Sequence, residues 1–203
     1  MTTLTMQPCE CWLRSGSLLL LVWVVSALGL AASGELATNN LLMPALIIIP
    51  VVGFALAYRS NPTFRSYVLS LDTGLLIILH SWRMLGLGFL FLYAHDVLPG
   101  LFAWLAGLGD ALAAAGATLI GIKLLRGSEV SKRVLLTWNS FGLMDFLIAI
   151  SVGTALRSAW LGSEIPTDPM AFLPLSLIPT LIVPFYMITH LIIFLQLRKS
   201  GEG

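Results

Sequence analysis

Nearly the whole chain is taken up by six apolar runs, roughly 17–32, 40–58, 67–93, 100–125, 134–156 and 173–197. In hydrocarbon no water is at hand to satisfy backbone N–H and C=O groups, so runs of this kind must close their hydrogen bonds within themselves. A helix does so at about 1.5 Å per residue, and about twenty residues then cross the apolar layer. The runs predict an all-α, polytopic transmembrane helix bundle of six helices, a single membrane domain spanning 1–203. The 203 residues are 58% hydrophobic and only 10% charged, against about 25% charged in a soluble domain. The connections are short and carry Gly, Pro, Ser or charge: Ser33 to Glu35, Arg59 to Pro62, His95 to Pro99, Arg126 to Glu129, and the longer Arg157 to Pro169.

Lys and Arg fall unevenly on the two sides of such a bundle. Arg14, Arg59, Arg65, Lys123, Arg126, Lys132, Arg133, Arg198 and Lys199 share one side, and Arg157 stands alone on the other with Glu35, Asp96, Glu164 and Asp168. Basic loops are retained in the cytoplasm, so both termini are expected there and the Arg157 to Pro169 loop outside. The first run also reads as a cleavable signal sequence, with Arg14 before it and Ala31-Ala32-Ser33-Gly34 after it; cleavage would leave five helices in the same orientation. Cys9 and Cys11 form a Cys-x-Cys pair too close and too isolated for a structural zinc site, so no metal is expected. The formal charge of +1 and the scattered basic residues give no nucleic-acid footprint. The expected surroundings are lipid, other membrane subunits or a second copy of the chain.

Three charges lie inside the runs. Arg83, Asp110 and Asp145 each sit about ten or eleven residues from the outer end of runs three, four and five, about 15 Å deep by helix rise. A charge at the bilayer centre is costly and normally faces a protein interior beside a partner. The three are expected to form one cluster in which two carboxylates share one guanidinium. That leaves a charge of minus one, which a proton or a bound cation would complete. His80, three positions before Arg83, belongs to the same neighbourhood.

A second polar layer toward the cytoplasm is expected from His190 and Asn139, some 8–10 Å from the first, with Asp72 extending it inward along the face of Arg83. Gly109, Ala113, Ala117 and Gly121 make a small-residue stripe suited to close helix contact, with Ala106, Asp110, Ala114 and Thr118 beside it. Pro44 and Pro50 in run two, and Pro179 and Pro184 in run six, are expected to kink their helices.

The phrases RMLGLGFL (83–90), LPGLFAWLAGLGD (98–110), WNSFGLMD (138–145) and LIPTLIVPFYMITH (177–190) resemble those of an uncharacterised group of small bacterial multi-pass membrane proteins. The resemblance covers about half of the chain and implies a bacterial inner-membrane location. It implies no chemistry.

The sequence has no zincin, nucleophile-elbow, Walker or dinucleotide pattern, and no membrane-buried Lys for a retinal Schiff base. Three functions remain. One is proton- or cation-coupled transport of a small ligand, with Asp110 and Asp145 as acceptors and Arg83 as fixed counter-charge. The second is a structural or assembly subunit held in register by the ion cluster. The third is a haem b carrier, with His80 and His190 as axial ligands.

Overall fold

A computed structural model describes residues 8–158 and 167–199, with side chains from residue 16. Among these residues there is no strand, and five segments are long and apolar enough to cross a membrane: 42–60, 73–94, 100–125, 132–157 and 178–199. The first run forms α1 (Pro8–Ala32), of which the apolar part, Gly16–Ala32, is shorter than the others. Cys9 and Cys11 lie in α1 without described side chains, and Glu164 and Pro166 lie outside the described residues.

A left-handed Gly34 (φ 78°) turns α1 into the single turn α2 (Glu35–Thr38), and α3 (Leu42–Ser60) follows. Pro44 falls in the first turn of α3, where no intrahelical N–H bond is lost, so only Pro50 stands inside that helix. The expected third helix over 67–93 is instead divided. The short α4 (Pro62–Ser70) is capped by Asn61, whose Oδ1 accepts from the Phe64 N–H at 2.8 Å. The chain then extends at Leu71 and re-enters as α5 (Thr73–Leu79), a 3-10 segment (His80–Leu87) and α6 (Gly88–Ala94).

The next two spans are uninterrupted: α7 (Gly100–Leu125) and α8 (Lys132–Arg157), the latter capped by Ser131. The sixth run was expected to be helical from 173, but the span begins at a π turn, Ile178–Ile182, and continues as α9 (Val183–Lys199). Pro184 has no N–H for the Thr180 carbonyl and its ring crowds that group, which loosens the helix at this point.

α7 is the hub, packed along the whole of the third span on one side and against α8 on another. Its small-residue stripe explains the approach. A Cβ at Gly121 would stand 2.9 Å from Ile78 Cβ, and Ala113 and Ala117 are fully buried. The apolar core has two main parts. Val68, Ile77, Ile120, Leu135, Ile193 and Leu197 fill the end rich in Lys and Arg. Phe89, Leu98, Phe102, Leu156 and Met170 fill the opposite end. Between them lies a polar layer.

Candidate functional site

The polar layer is built around the 3-10 segment of the third span. At three residues per turn, positions i, i+3 and i+6 eclipse one another, and His80, Arg83 and Gly86 form a buried row facing α7, α8 and α9. An α-helix would splay His80 and Arg83 by about 60°; the tighter winding stacks them. Gly86 and Gly107 let the two backbones come together, since a Cβ at Gly107 would lie 3.1 Å from the Gly86 carbonyl oxygen.

Arg83 joins three helices. Its Nε donates to Asp110 Oδ1 on α7 at 2.7 Å, and Nη2 donates to Asp145 Oδ2 on α8. Nη1 donates to the Gly142 carbonyl at 3.3 Å and lies 3.2 Å from His190 Nε2 on α9. The guanidinium carbon stands 3.9 Å over the Phe146 ring, a cation–π contact out of water. Four of its five N–H groups are therefore committed. The remaining oxygens, Asp110 Oδ2 and Asp145 Oδ1, accept no hydrogen bond from the described residues.

The histidines have assignable roles. Because Arg83 can only donate, His190 Nε2 accepts, and Nδ1–H donates to Asn139 Oδ1 at 2.8 Å. Asn139 returns a bond from Nδ2 to the His190 carbonyl at 3.1 Å. Thr189 gives its hydroxyl proton to the Tyr186 carbonyl at 2.8 Å, so its oxygen accepts from His80 Nε2–H at 2.9 Å. His80 Nδ1 is then a bare acceptor with no partner among the described residues. The rings of His80 and His190 touch, with centroids 4.1 Å apart, and Trp138 closes over both at 5.3 Å.

This contact decides against a haem between the two histidines. Axial ligands stand on opposite faces of a flat macrocycle, and rings in van der Waals contact leave no space for one. Both Nε2 atoms are also engaged with protein partners.

Three glycines clear the room that the charges occupy. A Cβ at Gly86 would meet Asp110 Cβ at 2.5 Å, one at Gly109 would meet Asp145 Cγ at 2.6 Å, and one at Gly142 would meet His190 Nε2 at 2.6 Å. The cluster is not sealed. A cavity of about 130 Å³ runs between α3, α7, α8 and the sixth span, from a mouth at Asn40, Arg157 and Thr167 down to Asp110 and Asp145. A second, of about 510 Å³, reaches Asp110 and Arg83 from beside α1, past Trp23, Trp82 and Phe185.

Of the residues singled out in the sequence, Arg83, Asp110, Asp145, His80, His190 and Asn139 come together. His190 links the two expected layers, its Nε2 beside Arg83 and its Nδ1 on Asn139, while Asn139 itself lies six residues, about 9 Å of helix, from Asp145 on α8. Depth counted from residue 173 places His190 too far in, because the span begins at 178, and five residues of helix are about 7.5 Å. Asp72 lies elsewhere: it caps α5 at the Lys- and Arg-rich end, its Oδ1 accepting from the Leu75 N–H at 2.7 Å. Residues the sequence gave no reason to single out are Gly86, Gly142, Phe146, Trp138, Tyr186 and Thr189. The spacing His80-x-x-Arg83-x-x-Gly86 was the one available signal, a period of three amid apolar neighbours. Among the described residues, no group of three or more His, Cys, Asp or Glu is arranged to hold a metal ion.

A family model described as a domain of unknown function (DUF8737) matches residues 40–198, which hold every residue of the cluster. No curated protein and no solved structure matches the chain.

Proposed function

The chain belongs to the DUF8737 family, and from the buried site we propose that it is a small transporter in which the Asp110–Asp145 pair carries a proton or a cationic ligand against the fixed charge of Arg83. The observation that carries this reading is that a cavity reaches both carboxylates, and each keeps one oxygen without a donor among the described residues. A pair of acids serving only to fix helix register needs no such access. One guanidinium for two carboxylates leaves a negative charge that burial makes costly, and a proton or cation would complete it. The bacterial inner membrane, with both termini in the cytoplasm, is the setting we propose, supported by the nine-to-one distribution of Lys and Arg between the two sides.

The test is infrared difference spectroscopy of the protein in lipid between acidic and alkaline pH. A site that carries protons shows a carboxylic-acid band that is lost in one of Asp110→Asn and Asp145→Asn, with both variants still monodisperse. Absence of any such band in the native protein would remove proton carriage, and absence of cation binding as well would replace this reading with the alternative, a static ion cluster in a structural or assembly subunit.

A further inference from the structure

The walls of the outer cavity narrow the ligand class, an inference that rests on the proposed function above. Below the mouth the lining is apolar: Met43, Ile47, Phe89, Phe102, Phe146 and Ile150. Its floor is the carboxylate pair. Asp145 has a side chain only 8% exposed, yet it borders the cavity, and its Oδ1 has no donor among the described residues. An inorganic cation asks for something different, six or more oxygen ligands for a divalent ion, and between the mouth and the floor the side chains lining the cavity add only the Thr154 hydroxyl. A ligand that matches a negative floor and greasy, partly aromatic walls carries its charge at one end and hydrocarbon at the other. The aromatic rings add an affinity for alkylammonium groups, as Phe146 already shows toward Arg83.

We propose that this cavity binds a small organic cation, a protonated amine with an apolar body, its ammonium group received by the Asp110–Asp145 carboxylate pair at the floor. The volume of about 130 Å³ is close to that of a cavity, about 150 Å³, that takes up benzene, so it suits a single ring with a short arm carrying the ammonium group. Arg157 at the mouth does not cancel the attraction. Its guanidinium is engaged by the Leu36 and Ala37 carbonyls and lies 3.8 Å from Asp168.

The experiment is equilibrium binding of tritiated 2-phenylethylammonium to the purified full-length protein in detergent, with uncharged 2-phenylethanol and sodium chloride as competitors. Saturable binding is expected, displaced by unlabelled amine but not by the alcohol or by sodium at equal concentration. Asp145→Asn is expected to weaken it at least tenfold. Ile150→Trp, which fills the cavity at a wall position away from the ion pairs, is expected to abolish it while the pH-dependent carboxyl band persists. Equal displacement by the alcohol would show a merely greasy pocket, and equal displacement by sodium a site indifferent to the organic body; either overturns the proposal. So does undiminished binding in a folded Ile150→Trp variant. No binding by a native protein that shows the carboxyl band removes the amine and leaves proton carriage standing, whereas binding without the band removes proton carriage and leaves the amine site.

Discussion

Arg83 illustrates how a buried charge is made tolerable. Its guanidinium is surrounded by two carboxylates, a carbonyl, an imidazole nitrogen and an aromatic face, so little of its lost hydration goes unreplaced. Arg83→Leu strands two carboxylates and should destabilise the protein by roughly 3–5 kcal/mol. The triple change Arg83→Leu, Asp110→Asn, Asp145→Asn should recover most of that loss, because no uncompensated charge remains. Thermal unfolding in detergent reads the difference, and equal loss in both would mean that the three do not act as one cluster. Gly142→Ala introduces a methyl group 2.5 Å from His190 Cε1 and is expected to cost about 1–3 kcal/mol by overpacking. Gly53→Ala, in a helix with nothing within 4 Å, should cost nothing measurable in the same assay. The charges were legible in the sequence because polar groups in an apolar run have few places to go. The glycines were not, because which of the chain's 18 faces a carboxylate depends on how helices distant in sequence cross.

At the level of elements, apolar length located α7 to the residue and α8 to within two at its start, since both run unbroken from one polar connection to the next. It failed for the third and sixth spans. Hydropathy reports burial in hydrocarbon but is blind to winding, so a 3-10 segment and a π turn look like any other apolar stretch. The division between α4 and α5 was concealed in the same way: Val68 and Leu71 are apolar because they pack at a corner, not because they cross. Asp72 is the marker of that corner. Asp72→Asn, which keeps an acceptor for the Leu75 N–H, should be nearly neutral, and Asp72→Ala should cost about 0.5–2 kcal/mol. Neither should alter the pH-dependent carboxyl band, a result that would separate this carboxylate from the two in the cluster.

For the molecule as a whole, the end rich in basic residues and the end bearing Arg157 and Asp168 are opposite poles of the bundle, and at the second of these Arg157 ties the α2 carbonyls to α8. Single cysteines placed on a background with Cys9 and Cys11 replaced test which pole faces out. Asp96→Cys, exposed at the pole of Arg157, should react with an impermeant maleimide in intact cells. Glu129→Cys, exposed at the other pole, should react only after the cells are opened. The reverse pattern would invert the proposed orientation. Composition and charge asymmetry were enough to frame this expectation, because membrane insertion acts on sums over whole loops. The mouth of the cavity was beyond their reach, since it is assembled from α3, α8 and the segment before the sixth span.

The 3-10 segment also changes the length of the span that holds it. Eight residues wound at about 2.0 Å per residue, not 1.5, reach about 4 Å further than an α-helix would. Rewinding this stretch to α geometry would draw the span in by that distance and swing Arg83 out of line with His80. The helix that carries the guanidinium of the cluster is thus longer than its residue count would make it as an α-helix, by about the length of a single residue of extended chain.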